Sequence, residues 1–203
     1  MSWADCFAQA PDEVTVDEIR AALEAHRAAV ETAESETHDR SEQSVREPPE
    51  STPTRIVADA DVLAADCCLE GHSRQALDLL RQHSWTTLVA SDRLLDDAAA
   101  VIQRVADDRL ATTWREQIED WREPVDQPAG DHPALASAYR GGAMHLLSFD
   151  DQLIASGTGV TLNNRFPVSI RQPDAFALLF DPESLYKSKH ADAYSGPDRD
   201  PRA

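Results

Sequence analysis

The spacing of apolar residues predicts one amphipathic helix near the beginning of the chain. Its apolar positions follow one another at three-, four- and seven-residue steps, as on one face of a helix, and they are Val16, Ile19, Leu23 and Val30. Thr15 and Glu18 form a capping-box pattern at the start of this stretch. We therefore predict a helix over residues 16–33, within an N-terminal extension that comprises residues 1–33. The helix docks either on the main domain or on a protein partner or second copy of the chain, and a plain surface helix is an equal alternative to a recognition element.

Residues 34–53 interrupt this pattern. They contain one aliphatic residue, Val45, among many acids, serines and prolines. Such a segment cannot bury enough apolar surface to fold on its own. We predict that it is an acidic, flexible linker.

From residue 54 onward, short apolar runs alternate with helical patterns. Strands are predicted at 55–58, 85–90, 143–147 and 166–170, and helices at 62–83 with a break at Gly71, then around 94–105, 110–121, 133–139 and 173–180. Residues 123–130 are predicted to be a loop. The alternation favours an α/β fold, with a mainly parallel central sheet between two layers of helices, over residues 54–182. A polar tail, residues 183–203, follows.

Aspartates stand where ligand sites of such sheets form, beyond the carboxyl ends of the strands. They are Asp59 and Asp61 after the first strand, Asp150 and Asp151 after the third, Asp131 at the start of the helix before the third strand, and Asp96 and Asp97 on the helix after the second. Carboxylates that converge repel one another, and a divalent cation removes that cost. Hard oxygen ligands of this kind suit Mg²⁺ or Mn²⁺ better than zinc.

The order of these segments resembles the PIN-domain nucleases. The resemblance is carried by IVADADVL (56–63), SDRLLDD (91–97), DHPALASA (131–138), HLLSFDDQL (145–153) and VSIRQPDAFA (168–177). It covers about residues 54–182 and implies a three-layer PIN-like fold. It also implies a metal-dependent endoribonuclease that uses Mg²⁺ or Mn²⁺ to hydrolyse RNA.

The resemblance also assigns roles to individual acids. Asp59, Asp97, Asp131 and Asp150 correspond to the catalytic and metal-binding acids of the family. Asp96 is the alternative register for Asp97, and Asp61 and Asp151 are alternative or outer-shell groups. No glycine-rich phosphate loop is present, so no further cofactor site is predicted.

Purely structural roles for some of these acids stay open. Asp131 would serve as a helix cap. The sequence pattern around Asp97 would be the same if Asp97 lay on a solvent-exposed helix face. Ala60 stands where the family usually has a hydroxyl residue, and Asp97 where it usually has glutamate. These two departures keep a second hypothesis open, namely a non-catalytic PIN-like module that binds RNA or protein. His132 and His145 do not have the spacing of metal ligands.

The charge balance narrows the possible partners. The chain has 203 residues with 37 acids, 19 Lys and Arg, and a formal net charge of −18. Only Lys187 and Lys189 are lysines. This charge argues against nucleic-acid binding by bulk positive charge and against an anionic membrane surface. It suits a haloarchaeal-type protein in molar salt, where the Debye length is about 3 Å and RNA binding rests on stacking, a few arginines and the metal.

The remaining sequence features favour a cytoplasmic location. Apolar runs stay far below the ~20 residues that cross a bilayer, and the first residues lack a signal-peptide pattern. Three cysteines, Cys6, Cys67 and Cys68, form no even disulfide framework, which fits a reducing compartment.

Overall fold

The computed structural model describes residues 2–36, 48–127, 131–157 and 167–203. Within them, five strands form one all-parallel sheet in the order β3-β2-β1-β4-β5. The strands are β1 (Thr52–Ala58), β2 (Thr87–Ser91), β3 (Arg122–Val125), β4 (Ala143–Leu147) and β5 (Ser169–Arg171). The predicted α/β fold with a parallel central sheet is confirmed.

Helices connect the strands and flank the sheet. They are α1 (Trp3–Phe7), α2 (Val16–Glu36), α3 (Ala60–Cys68), α4 (His72–Arg81), α5 (Asp92–Val105), α6 (Asp108–Glu119), α7 (Pro133–Gly141), α8 (Asp151–Gly157), α9 (Pro173–Leu179) and α10 (Pro182–Lys187). Because parallel crossovers are right-handed, the helices between β1 and β3 cover one face, and α7 and α8 cover the other. The arrangement is the three-layer α/β/α fold that the sequence predicted.

Strand β3 replaces part of the loop predicted over residues 123–130. It pairs with β2 from Leu88 opposite Arg122 to Ser91 opposite Val125. Its short charged sequence, Arg-Glu-Pro-Val, lacks the apolar run of the inner strands, and Pro124 is tolerated because β3 lies at the sheet edge. The last residues of the predicted loop, 128–130, lie outside the described residues, as does Phe166 of the predicted fourth strand.

The direction of winding changes between β1 and β4. From β1 the chain moves through β2 to β3 on one side, and then crosses back to place β4 and β5 on the other side. The backbone N–H of Asp59 donates to the Leu147 carbonyl at 2.8 Å, so strands β1 and β4 stay paired up to their carboxyl ends. Sheets of this kind open a crevice at such a point, which here lies beyond β1 and β4.

The N-terminal extension packs against the sheet domain and shares its core. Buried residues of α1 and α2, namely Trp3, Cys6, Ile19, Ala22 and Leu23, belong to the same apolar cluster as the inner strands. Helix α2 lies against α3 and α5. The apolar face of this helix, which the sequence offered as a candidate partner contact, therefore lies against its own domain. Most of the predicted linker, residues 37–47, lies outside the described residues.

The C-terminal residues 183–203, predicted as a polar tail, also contact the domain. They begin in α10, and further along Tyr194 Oη lies 2.7 Å from His83 Nε2. The Asp198 carboxylate accepts a hydrogen bond from the Ser84 backbone N–H at 2.8 Å. At the chain end, the Ala4 N–H donates to the Arg202 carbonyl at 3.1 Å. The two ends of the chain thus meet on the surface of the domain.

A buried arginine holds the first helix in place. The Arg81 guanidinium carbon lies 4.1 Å from the centroid of the Trp3 ring and 4.7 Å from that of Trp121. The same guanidinium forms a salt bridge with the buried carboxylate of Asp66 and another with Asp78 at 3.0 Å. Cation–π contacts and ion pairing therefore stabilise one charged group that is shielded from water.

No helix among the described residues has the length and apolar character required to cross a membrane.

Replacing Trp3 by alanine should destabilise the whole domain. Trp3 is buried and covers Arg81, so Trp3→Ala should lower the free energy of unfolding by about 3 kcal/mol. The measurement is urea unfolding followed by circular dichroism. Leu178→Ala is the control, because Leu178 is 86% exposed and its loss should change stability by no more than about 0.5 kcal/mol. Equal unfolding midpoints for the two variants would contradict a docked α1.

Candidate functional site

Asp59 stands at the crevice between β1 and β4. It follows β1 directly, and its extended backbone places it as the N-cap of α3, where its Oδ1 accepts the Ala60 N–H at 2.8 Å. Its side chain is fully buried. Ser148, the residue after β4, donates its hydroxyl to Asp59 Oδ2 at 3.2 Å. Ala60 offers Asp59 no hydroxyl group, and Ser148 supplies one from the neighbouring strand.

Asp97 reaches the same place from α5. Its side chain is 1% exposed, whereas the side chain of its neighbour Asp96 is 67% exposed and lies 3.7 Å from Arg115 on the surface. The helix therefore directs Asp97 inward, and Asp96 outward.

The guanidinium of Arg27 joins these two buried carboxylates. Its Nη2 donates to Asp59 Oδ1 at 2.8 Å, and its Nε donates to Asp97 Oδ2 at 2.9 Å. Its Nη1 lies 3.1 Å from His132 Nε2. Arg27 belongs to α2, so the N-terminal extension provides the cation at the carboxyl edge of the sheet.

The second oxygen of Asp97 is only partly compensated. His26 Nε2 lies 3.3 Å and Arg93 Nε lies 3.6 Å from Asp97 Oδ1. Neither contact has hydrogen-bond geometry, and this buried oxygen has no hydrogen-bond partner among the described residues. Oδ1 of Asp97 can therefore still accept a hydrogen bond or bind a cation.

Burial and mutual attraction set the charges of the cluster. Burial opposes the charge on Arg27, but its attraction to Asp59 and its hydrogen bonds to Asp59 and Asp97 outweigh burial and raise its pKa. Burial also opposes the charge on Asp59, yet the Arg27 guanidinium holds the pKa of this carboxyl below its usual value. Burial lowers the pKa of His132, which agrees with its Nε2 accepting a hydrogen bond from Arg27. Arg27 and Asp59 are thus an ionised pair beside a neutral imidazole.

Asp61 lies beside this pair in a different protonation state. Its side chain accepts the backbone N–H groups of Phe149 at 3.0 Å and Val62 at 2.7 Å, and it is 2% exposed. Burial, followed by the negative charge of Asp59, raises the pKa of Asp61 to about 8. Asp61 therefore keeps its proton at neutral pH when only the protein's own groups surround it.

The other predicted acids are placed differently. Asp150 is half-buried, and its Oδ1 accepts the backbone N–H of Gln152 at 2.8 Å at the start of α8. Asp151 is exposed and lies 3.9 Å from Arg20. Asp131 is exposed just before His132, the N-cap of α7, and no hydrogen bond or ion pair links its carboxylate to the described Asp59 and Asp97. The structure thus brings Asp59 and Asp97 together, with Asp61 beside them.

A groove of about 400 Å³ opens beside these acids. It runs between α2 and the carboxyl ends of β1 and β4, and its lining includes Arg20, Glu24, Arg27, Asp59, Asp61 and Asp150. The α2 wall therefore carries both arginines and glutamates, and the opposite wall carries aspartates. Within the described residues, no group of three or more His, Cys, Asp or Glu side chains is arranged to hold a metal ion.

Sequence reasoning missed Arg27, His26 and His132. Arg27 follows Leu23 by four residues, so it continues the apolar face of α2 at a position where an apolar residue is expected. A charged residue at such a position was a signal for a buried ionic partner. His132 was set aside because it lacks ligand spacing, although it directly follows a predicted site acid.

The fold and the site define a parallel α/β protein with an acid pair at its topological switch point. The profile of DUF7384, a family of unknown function, matches residues 50–202, and the chain belongs to that family. No curated protein and no solved structure matches it. The matched region contains Asp59, Asp97 and His132, whereas α2 and its Arg27 precede it.

Replacing Asp61 by asparagine should flatten the pH dependence of stability. The pKa of Asp61 is about 8 in the folded protein and about 3.9 in an unfolded chain. The folded state therefore binds one more proton between these pH values, and stability falls as the pH rises, by up to about 1.4 kcal/mol per pH unit. Asp61→Asn removes this contribution. Urea unfolding in EDTA at several pH values between 5 and 8 measures the difference.

The control for this experiment is Asp151→Asn, because Asp151 is exposed. Its stability should follow the wild-type curve at each pH. Parallel curves for wild type and Asp61→Asn would show that Asp61 titrates normally.

Proposed function

We propose that this protein is a metal-dependent endoribonuclease of PIN type, which hydrolyses RNA phosphodiesters in the groove beside α2. The observation that carries the proposal is the convergence of two buried carboxylates, Asp59 and Asp97, on one cationic group. They come from different elements and meet at the crevice of a parallel sheet, where ligand sites form. Two carboxylates carry more negative charge than one guanidinium neutralises, and a divalent cation in its place would compensate both.

The donor set suits Mg²⁺ or Mn²⁺. Its atoms are carboxylate oxygens, and the buried Oδ1 of Asp97 has no hydrogen-bond partner among the described residues. Asp59 and Asp97 would hold the ion, with Asp150 on the groove wall and the exposed Asp131, just before α7, as a further candidate ligand. The ion would supply an activated water and neutralise charge on the phosphodiester.

The protein's own groups have distinct tasks in this proposal. Ser148 fixes the orientation of Asp59 through its hydroxyl. Arg20 lines the groove opposite the acids, and its planar guanidinium suits a phosphate group. Local arginines matter here because a net charge of −18 gives the protein no long-range attraction for RNA. Three buried free cysteines fit the reducing cytoplasm in which we place this activity.

Replacing Asp59 or Asp97 by asparagine should abolish RNA cleavage. The test uses end-labelled single-stranded RNA with Mn²⁺ in molar KCl. Because both residues would bind the ion directly, each variant should lose more than the roughly 100-fold that loss of a ligand-orienting group costs. Asp96→Asn is the matched control, because Asp96 precedes Asp97 in the chain but lies on the surface. Its rate should stay within about twofold of wild type, as expected for a surface change.

Inactivity of the wild type, and of a variant such as Arg27→Met that lacks the guanidinium beside the acids, over many RNAs and several divalent metals would refute the nuclease proposal. Cleavage that persists in Asp59→Asn and Asp97→Asn would assign the activity to other residues or to a contaminant.

A second candidate is a non-catalytic PIN-like module that binds RNA or protein. Arg27 favours it, because the acid pair already has a counter-charge from within the chain. A protein partner or a second copy would then contact the outer face of α2. Calorimetry that detects RNA or protein binding but no Mn²⁺ binding at high salt would favour this module over the nuclease.

A further inference from the structure

We infer that α2 competes with a divalent cation for Asp59 and Asp97. Arg27 occupies the two carboxylates, and a divalent ion binds there only when Arg27 leaves. This inference rests on the proposed function, because it concerns the same two acids. It adds a means of regulation, in which docking of the N-terminal extension prevents the site from binding a metal ion.

The first step is that Arg27 and a divalent ion need the same atoms. Arg27 bonds to Asp59 Oδ1 and Asp97 Oδ2 at 2.8 and 2.9 Å. A divalent ion on these oxygens would lie within a few ångströms of the guanidinium, in a buried place where like charges repel strongly. Occupation by one cation therefore excludes the other.

The second step is that the counter-charge comes from outside the family region. The family profile begins at residue 50 and includes both acids, whereas Arg27 belongs to α2. The family region therefore contains both acids but not this partner. Buried charges require a partner, and within the family region a bound cation would provide one.

The third step is that the two halves of α2 are held by different forces. Its first half is anchored in the core by Ile19, Ala22 and Leu23. Between residues 24 and 33 no side chain is buried, and His26 and Arg27 make the contacts to the acids. Apolar packing therefore adds little to the cost of opening this segment, and a divalent ion on the same acids would offset the loss of the Arg27 ion pairs. Release of Arg27 therefore requires only the second half of the helix to move, while the first half stays docked.

Because the two binding events exclude each other, they are thermodynamically linked. A divalent ion weakens the docking of Arg27, and docking of Arg27 weakens the binding of the ion by the same factor. Any ligand that holds the second half of α2 away from the groove should raise metal affinity. This reciprocity makes the competition measurable without RNA.

Arg27→Met should raise the affinity for Mn²⁺ at least tenfold. Methionine keeps an unbranched apolar stem on the α2 face but removes the charge. The measurement is calorimetric titration of the full chain with Mn²⁺ in molar KCl after EDTA treatment. Arg109→Met is the control for loss of one arginine charge, because Arg109 is exposed on α6 and has no ion pair with the described acids Asp59 and Asp97. Its Mn²⁺ affinity should stay within twofold of wild type, since molar salt screens distant charges.

A second readout follows the helix itself. In the wild type, Mn²⁺ should speed amide hydrogen exchange in residues 24–33 and leave residues 16–23 unchanged. In Arg27→Met, exchange of residues 24–33 should be fast from the start and should not respond to Mn²⁺. Arg27→Lys keeps one charge without the forked geometry, so its Mn²⁺ affinity should fall between those of wild type and Arg27→Met.

The outcomes separate this inference from the proposed nuclease. If Arg27→Met is unfolded without metal, refolding by Mn²⁺ at concentrations that leave Arg109→Met unchanged supports the competition. Tighter Mn²⁺ binding without RNA cleavage by any variant refutes the nuclease and keeps the competitor role. Equal Mn²⁺ affinities for wild type, Arg109→Met and Arg27→Met overturn the competitor role, even if the wild type cleaves RNA. Absence of Mn²⁺ binding in every variant overturns both.

Discussion

The attraction between the Arg27 guanidinium and the carboxylates of Asp59 and Asp97 connects the parts of this molecule that matter for function. It joins α2 to the ends of β1 and α5 across a boundary where the family region begins. Burying two carboxylates without a cation is costly, so some positive charge has to stand between them. The position of the second half of α2 and the state of the candidate site are therefore linked by one interaction.

The topology explains why these acids meet. At the switch point, the chain leaves β1 and β4 toward opposite faces of the sheet, and in sheets of this kind a crevice forms between the two strand ends. Asp59 occupies this space and is the N-cap of α3, so its carboxylate is buried and is also held in a fixed orientation. Asp61, two residues later, is held by backbone N–H groups instead of a cation, and it keeps a proton. Two neighbouring aspartates thus differ in charge because their partners differ.

The sequence predicted what depends on local pattern and missed what depends on distant contacts. An apolar run that ends in aspartate identified Asp59, because such a run indicates a buried strand. The sequence could not show which of Asp96 and Asp97 points inward, because this depends on where α2 covers α5. Strand β3 escaped detection because its pairing with β2, and not its own composition, defines it. Arg27 lies 32 residues before Asp59, and only its place on the apolar face of α2 pointed inward.

Two arginines that pair with buried acids show what distinguishes a structural ion pair from an exchangeable one. Arg81 pairs with Asp66, its side chain is 2% exposed, and it lies between Trp3 and Trp121. Arg27 has the same kind of partner, but its side chain is 21% exposed and lines an open groove. A cation that is enclosed by aromatic rings cannot leave without opening the core, whereas one at the edge of a groove can be replaced from solvent. The same charge chemistry therefore fixes the fold at one place and leaves a candidate switch at the other.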